Sequence, residues 1–195
     1  MARSLSTLYA DNYFRSRLEA RWAVFFDCLG VKWRYEIEGF SCGDFGEYLP
    51  DFWLPDLKAI VEIKPEQPTE LECEKLRTVG LFLAESRSEH WNCFIATEAI
   101  KQLDQYGVPV TFDMVHPHWD SPYWWCRCND CGKAGLQFEG RADRLPCKHR
   151  KPTLCQLSAH GDKGRTYDDP LLKMAYNEAI CARFEHGENY RRKWA

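Results

Sequence analysis

The sequence predicts a mixed α/β fold in which a helix, three strands, a second helix and a further strand form one unit (αβββαβ) with a mixed sheet. Apolar residues recur at helical spacing in residues 13–29 and again after Thr69, and short apolar or alternating runs lie between these segments. A cysteine-rich segment and a last helix follow. The chain of 195 residues is long enough for a core and a small module, so we predict two domains, residues 1–120 and residues 121–195.

The composition is typical of a globular protein. Hydrophobic residues make up 45% of the chain and aromatic residues 14%, which argues against disorder. No run of about 18 apolar residues occurs, so we predict no membrane span and no membrane partner. Residues 1–5 lack the apolar core of a signal peptide, and we therefore expect a cytoplasmic protein.

The first predicted helix covers residues 13–29. Its buried stripe consists of Leu18, Trp22, Phe25, Phe26 and Leu29. Gly30 is suited to cap its C-terminus. Glu19 lies at the border of the apolar stripe, beside small alanines, and so can point toward the sheet.

Three strands are predicted next. Residues 31–38 alternate between apolar and polar, and a glycine-containing hairpin connection over residues 39–46 leads to a strand that carries Asp51. A turn at Pro55 and Asp56 leads to the third strand, residues 59–64. Side chains alternate along a strand, so Glu62 and Lys64 leave the same face.

The later elements follow from local signals. Thr69 with Glu72 three residues on is a capping box, which predicts a helix to about Ser86. Asp168 or Asp169 before Pro170 predicts the start of the last helix. The remaining predicted elements are a buried strand at 91–97, a helical turn at 98–105, a strand or extended segment at 108–115, and a linker at 116–122.

The acids and the lysine of the central strands suit phosphate chemistry with a divalent cation. Asp51 and Glu62 offer carboxylate ligands, and Glu19 can complete the set. A lysine beside a metal is expected to have a lowered pKa, so Lys64 can orient or deprotonate a water, or stabilise charge on phosphate. The alternative is a turn aspartate and a surface ion pair on an edge strand. Against it, Glu62 lies in an apolar run, where an unpaired charge is costly.

The motif Pro50-Asp51, followed by Glu62-Ile-Lys64, resembles that of the PD-(D/E)XK nuclease superfamily. The preceding helix with its glutamate is similar to that of archaeal Holliday-junction resolvases, phage junction-resolving endonucleases and TnsA-type endonucleases. The resemblance covers roughly the first 115 residues. It implies a restriction-endonuclease-like core, with Asp51 and Glu62 as ligands of Mg²⁺ or Mn²⁺, Glu19 as the extra acid and Lys64 as the catalytic lysine.

The same resemblance implies an endonuclease that hydrolyses phosphodiester bonds in DNA, branched or structured DNA among its substrates. It also implies a bacterial or phage-infected cell as the setting, and a homodimer. The site residues do not distinguish DNA from RNA. The competing hypothesis is a non-catalytic phage factor that binds nucleic acid or protein and retains the nuclease fold.

Cysteine spacing predicts a structural Zn²⁺ site in a small zinc-ribbon-like module. Five of the ten cysteines lie between Cys126 and Cys155, which in a reducing compartment favours metal binding over disulfides. Cys128-x-x-Cys131-Gly is a metal-binding knuckle. The predicted ligands are Cys128, Cys131, Cys147 and Cys155, with His149, Cys126 or His160 as alternatives to Cys155. The competing interpretation is a set of reduced cysteines with core or redox roles.

Charge is unevenly distributed along the chain. Residues 1–125 contain 12 Lys and Arg and 20 Asp and Glu (net −8), whereas residues 126–195 contain 14 and 9 (net +5). This asymmetry hints at a polyanionic partner. The predicted nucleic-acid-binding residues are Arg141, Arg144, Lys148, Arg150 and Lys151, with Trp124, Trp125 and Phe138 as nearby aromatic residues for stacking. The alternative is ordinary solvated charge.

Overall fold

The structure is a computed structural model. It describes residues 6–86, 91–97, 111–113, 122–128, 131–138, 141–144, 147 and 169–184. Within these residues the protein is a mixed α/β fold with a mixed sheet and three helices, as the sequence predicts. No helix in these ranges has the length and apolarity needed to cross a membrane.

The helices and strands have these bounds. The helices are α1 (Arg17–Cys28), α2 (Glu70–Ser86) and α3 (Pro170–Cys181). The strands are β1 (Thr7–Tyr9), β2 (Asn12–Phe14), β3 (Arg34–Tyr35), β4 (Phe40–Ser41), β5 (Glu47–Tyr48), β6 (Phe52–Leu54), β7 (Ala59–Lys64), β8 (Asn92–Thr97), β9 (Thr111–Asp113), β10 (Pro122–Arg127), β11 (Ala134–Phe138) and β12 (Arg141–Arg144). Short 3₁₀ turns cover Gly43–Phe45 and Pro55–Leu57.

The main sheet has eight strands in the order β12-β11-β10-β9-β8-β7-β6-β3. Strands β7 and β8 are parallel, and the other neighbours are antiparallel. The parallel pair requires a crossover connection, which contains α2. The sheet continues across the boundary predicted at residue 120, because β9 pairs with β10. The two-domain division stays a prediction, but strands from both proposed domains share this sheet.

Two apolar clusters cover the two faces of the sheet. Val61 and Ile63 of β7 belong to the larger cluster, which includes α1, α3 and β10, whereas Ile60 belongs to the cluster that includes α2. Helix α3 packs on α1 through Phe25 and Tyr176, whose ring centroids lie 4.5 Å apart. Strand β7 is therefore covered on both faces, and its polar residues emerge near the end of the strand.

The first helix begins later than predicted. Residues 7–14 form the hairpin β1–β2, whose turn has left-handed backbone at Ala10 and Asp11. Helix α1 begins only after Ser16, whose hydroxyl accepts a hydrogen bond from the Glu19 N–H. The prediction that the helix begins at residue 13 is wrong, because Tyr13 and Phe14 lie in β2.

Several other predictions can be compared with the structure. The capping box of Thr69 and Glu72 is confirmed at the start of α2, and Asp169 caps α3. The strand predicted at 31–38 is reduced to Arg34–Tyr35, because Glu36 has a φ of +46° and ends the extended backbone. The helical turn predicted at 98–105 lies outside the described residues, as does all of 108–115 except β9. The linker predicted at 116–122 also lies outside them, except for Pro122, which begins β10 rather than a linker.

Candidate functional site

Asp51 and Glu62 lie together where β6 and β7 pair. Asp51 immediately precedes β6, and Glu62 lies in β7. The Asp51 N–H donates to Glu62 Oε2 at 3.2 Å, and the Ile63 N–H donates to Asp51 Oδ2 at 2.8 Å. Each carboxylate therefore accepts a backbone N–H from the other residue's strand, so the sheet register fixes the two acids side by side.

Both carboxylates are buried. The exposed fraction is 2% for Asp51 and 4% for Glu62. Burial and the charges of Glu62 and Glu19 raise the pKa of Asp51 well above its ordinary value, against the opposing effects of the Ile63 N–H and Arg15. Negative charge is thus concentrated here, and a divalent cation would relieve it. These residues fit an oxygen-ligand metal site.

Lys64 joins this pair from the same face of β7. Its Nζ lies 3.0 Å from Glu62 Oε1 and 2.8 Å from Glu72 Oε1. Burial lowers the pKa of Lys64, but Glu62 and Glu72 raise it by more, so the pKa lies above its ordinary value. This is opposite to the direction that we expect for a general base. Lys64 is a cation in this arrangement, suited to stabilising negative charge.

Glu72 has two roles in the structure. Its Oε2 accepts hydrogen bonds from the Thr69 N–H at 2.8 Å and the Thr69 hydroxyl at 2.9 Å, and its Oε1 contacts Lys64. Burial raises the pKa of Glu72, but the bonds to Lys64 and Thr69 outweigh this effect and lower the pKa to about 2. The first turn of α2 therefore fixes the position of the lysine.

Arg15 lies on the other side of Asp51. Its Nη2 is 2.9 Å from Asp51 Oδ1 and its Nε is 2.5 Å from Glu36 Oε1. The Glu36 N–H also donates to the Asp51 carbonyl at 2.9 Å. Glu36 also belongs to this site, because only 19% of its side chain is exposed.

Glu19 is buried near the same acids but has its own partners. Its carboxylate accepts from the Ser16 hydroxyl at 2.5 Å, from the Arg15 N–H at 3.2 Å and from the Tyr35 hydroxyl. Its charge raises the pKa of Asp51. Among the described residues, one group of three possible ligands has its ligand atoms all within 4.8 Å of one another, and it consists of cysteines. The oxygens of Glu19, Asp51 and Glu62 do not meet this condition. Glu19 is therefore adjacent to the Asp51–Glu62 pair rather than part of one compact ligand set.

A cleft of about 670 Å³ opens over Glu62 and Lys64. Its charged lining residues are Arg15, Glu47, Glu62, Lys64, Glu72 and Lys75. The Lys75 ammonium donates to the Glu47 carbonyl at 3.0 Å. The Tyr48 hydroxyl is also here, and burial together with Glu62 raises its pKa. The cleft thus places cations around Glu62, the member of the acid pair that lines it, an arrangement that could receive a phosphate group.

The cysteine cluster is a second candidate site. The Sγ atoms of Cys128, Cys131 and Cys147 all lie within 4.8 Å of one another. The Lys133 N–H bonds to Cys131 and lowers the pKa of its thiol, but burial and the two neighbouring thiols outweigh this effect and leave the pKa raised. Three thiols at this separation could bind a structural metal such as zinc.

The other predicted ligands are placed differently. Cys126 is outside the cluster, because its Sγ lies 3.5 Å from the Gly135 carbonyl inside the β10–β11 pair. Cys155, His149 and His160 lie outside the described residues. The fourth ligand therefore stays a prediction. Cys126 is not part of the cysteine cluster, so Cys155, His149 and His160 remain as candidates.

The predicted nucleic-acid surface of the second region is only partly described. Arg141 and Arg144 lie in β12, and Lys148, Arg150 and Lys151 lie outside the described residues. Trp124 and Trp125 are 9% and 0% exposed, so the expectation that they form a base-stacking surface is wrong. Trp125 instead packs on Phe25 at 5.5 Å between ring centroids.

Sequence reasoning missed most of the partners of the central acids. Arg15 lies between β2 and α1, a position that carries no motif. The sequence identifies Glu72 as part of a capping box and Tyr35 as part of an alternating strand. Neither pattern indicates that these residues contact Lys64 and Glu19. Their role depends on contacts between elements, which local patterns do not reveal. Comparison with protein-family models, with curated proteins and with solved structures found no match.

Proposed function

We propose that the protein is a metal-dependent endonuclease of the PD-(D/E)XK type, which hydrolyses phosphodiester bonds in DNA. One observation carries the proposal. Asp51 and Glu62 are buried and joined by backbone hydrogen bonds where β6 and β7 pair, and Lys64, from the same strand as Glu62, lines the cleft that opens over Glu62. A buried acid with a raised pKa, here Asp51, beside a second buried carboxylate and a nearby cation is typical of a catalytic site.

Asp51 and Glu62 would hold Mg²⁺ or Mn²⁺, and Glu19 would add negative charge next to them. The cation would supply Lewis-acid polarisation of the phosphate and a water of lowered pKa. Lys64, kept charged by Glu62 and Glu72, would stabilise the charge that develops on the phosphate. Arg15 and Lys75 at the rim of the cleft would contact neighbouring phosphates of the substrate strand.

The test is cleavage of a panel of linear, nicked, branched and single-stranded DNA, and of RNA, with Mg²⁺ or Mn²⁺. We expect Lys64→Ala to reduce the cleavage rate by about 10² to 10³-fold and Asp51→Asn to abolish it. Lys32→Ala is the matched control, because Lys32 pairs with Asp56 in a separate depression. Cleavage by Lys64→Ala at the wild-type rate would refute the catalytic role. The homodimer stays a prediction that the same preparation can test by its mass in solution.

The second candidate is a non-catalytic binding protein, and one observation favours it. Arg15 contacts Asp51 and Glu36, and Lys64 contacts Glu62, so the acids have internal cations as partners. A factor of this kind would bind DNA or protein without Mn²⁺ and would cut none of the panel. Titration calorimetry with Mn²⁺ separates the two hypotheses. A nuclease should bind Mn²⁺ in the wild type and lose this binding in Asp51→Asn, whereas a non-catalytic binding protein requires no such site.

We further propose that Cys128, Cys131 and Cys147 hold a structural Zn²⁺, with a fourth ligand from the remaining candidates Cys155, His149 and His160. Thiolates favour zinc over Mg²⁺, and closed four-ligand sites are structural rather than catalytic. The supporting observation is the mutual proximity of the three Sγ atoms. Elemental analysis should find one zinc per chain in the wild type and a strongly reduced content in Cys131→Ser.

A further inference from the structure

The cysteine cluster is built on a short turn whose backbone is closed by two hydrogen bonds. The Gly132 N–H donates to the Cys128 carbonyl at 2.8 Å, and the Cys128 N–H donates to the Lys133 carbonyl at 2.9 Å. Gly132 has a φ of +71°, in the left-handed region that favours glycine. We call residues 128 and 131–133 the knuckle. Its geometry decides where the Gly132 carbonyl points.

Arg127 connects the knuckle to α3. Its Nε donates to the Gly132 carbonyl at 3.0 Å, while its Nη1 donates to Asp169 Oδ1 at 3.2 Å and Oδ2 at 3.0 Å. The side chains are 23% and 10% exposed, so solvent only partly screens this pair. Charge-assisted bonds of this kind are stronger than bonds between neutral groups.

Asp169 in turn begins α3. Its Oδ1 accepts from the Leu171 and Leu172 N–H groups, each at 2.9 Å, as an N-terminal cap. The same carboxylate therefore caps the helix and binds Arg127. At the other end of α3, Arg21 Nε of α1 donates to the Ala182 carbonyl at 3.3 Å. Helix α3 is thus bonded to Arg127 at its N-terminus and, just past its C-terminus, to α1, the helix that carries Glu19.

We propose that Arg127 is a positioning residue through which a metal in the knuckle holds α3 in place on α1. A metal bound by the three thiolates would fix the turn that presents the Gly132 carbonyl, and this carbonyl orients the guanidinium toward Asp169. Loss of the metal then frees Arg127 and weakens the start of α3. The inference rests on the zinc assignment proposed above, and its test distinguishes failure of the zinc assignment from failure of the coupling.

The experiment is hydrogen–deuterium exchange of the whole chain, with zinc bound and after removal of zinc by a chelator. We expect exchange in α3 to become about ten- to hundredfold faster without zinc, the range that loss of a charge-assisted hydrogen bond allows. Helix α2 is the internal reference, because it packs in the other apolar cluster. Its exchange should stay unchanged.

Two substitutions test the role of Arg127 itself. Arg127→Ala should accelerate exchange in α3 by a similar factor while keeping one zinc per chain, because Arg127 supplies no ligand. Removal of zinc should then add little, since both changes break the same connection. Arg127→Lys should restore the slow exchange of α3 only in part, because lysine lacks the planar fork of donors. Lys133→Ala is the matched control, because Lys133 is an exposed cation of the same knuckle. Exchange in α3 of this variant should equal that of the wild type.

The outcomes separate cleanly. A wild-type protein without zinc overturns the zinc assignment and this inference with it. If the protein contains zinc but neither chelation nor Arg127→Ala accelerates hydrogen exchange in α3, the inference alone is overturned. The inference is also overturned if chelation accelerates exchange in Arg127→Ala as much as in the wild type. If chelation unfolds the whole chain, the zinc-loaded variants decide: Arg127→Ala must accelerate α3, and Lys133→Ala must not.

Discussion

The two candidate sites of this protein are built in opposite ways. The acid pair depends on sheet register, because Asp51 and Glu62 are fixed by hydrogen bonds between β6 and β7. The cysteine cluster depends on a turn, in which two cysteines and a left-handed glycine lie within five residues of sequence and Cys147 joins them from outside the turn. The first site has the cations Arg15 and Lys64 beside it, whereas the described part of the second brings three thiols together.

This difference has a chemical consequence. Oxygen ligands with Arg15 and Lys64 nearby suit a cation that binds weakly and exchanges with solvent. Neighbouring thiols suit a cation that binds tightly and stabilises the fold. The comparison therefore predicts a replaceable metal at the acid pair and a permanent one at the cysteine cluster.

Selective metal removal should give the largest effect. If the proposed endonuclease activity is correct, passing the protein into buffer freed of divalent cations should reduce cleavage to background, at least about 10³-fold, because the cation that would activate the water is removed. Added Mg²⁺ or Mn²⁺ should restore the rate, and the zinc content should stay constant throughout. Activity that survives this treatment, or that returns with Zn²⁺ alone, would place the catalytic metal elsewhere.

Glu72→Gln should have the next largest effect. The amide keeps an acceptor for the Thr69 N–H but removes the charge that faces Lys64. We expect kcat to fall about tenfold, since Lys64 then keeps Glu62 as its one charged partner among the described residues. Thr69→Ala is the matched control: it removes the helix cap, which costs about 1 kcal/mol of stability, and leaves the ion pair. Equal kcat values for the two variants would show that Glu72 matters only for the helix.

Part of this arrangement is predictable from sequence because its signals are local. The turn at Pro55 and Asp56 fixes the register of β6 and β7, and that register places Asp51 beside Glu62. Alternation along β7 places Lys64 on the same face as Glu62. The capping box at Thr69 and the Asp169 cap of α3 are likewise encoded within three or four residues.

The remainder depends on contacts distant in sequence. Arg15 reaches Asp51 across 36 residues, and Arg127 reaches Asp169 across 42, and no periodicity connects such pairs. Trp125 is predicted from sequence to stack on bases, and this prediction is wrong because the residue is fully buried. It is buried because α1 and α3 cover that face of the sheet. A pattern of apolar residues indicates that a face is covered, but not which distant element covers it.

The stability of the cation-free protein should depend on pH through Asp51. The folded-state pKa of Asp51 is raised above the unfolded value, so its favourable contribution is complete below the unfolded pKa and is lost as pH rises through the folded pKa. Between the unfolded-state and the folded-state pKa of Asp51, the free energy of unfolding should fall by up to about 1.4 kcal/mol for each unit by which the pH rises.

Chemical denaturation at a series of pH values measures this slope. Asp51→Asn should flatten it, because the amide does not titrate. Mn²⁺ should also flatten it in the wild type, because a bound cation favours the ionised carboxylate. Asp27→Asn is the control, since Asp27 accepts from Tyr9 and Trp33 away from the acid pair. A slope that is the same in Asp51→Asn as in the wild type would assign the pH dependence to another group.

The smallest expected effect compares two glycines. Gly30 and Gly132 have similar left-handed backbones, with φ of +66° and +71°, so alanine should cost each site about 1 kcal/mol. A Cβ at Gly132 would also lie 2.7 Å from Arg127 Nη2, whereas a Cβ at Gly30 has nothing within 4 Å. The guanidinium is the end of a flexible side chain and can move, but it then leaves Asp169. Gly132→Ala should therefore lower the free energy of unfolding by about 1 kcal/mol more than Gly30→Ala, with the zinc content unchanged. If the two substitutions cost the same, Arg127 adds nothing to stability beyond its own packing, and the knuckle and α3 are neighbours without being coupled.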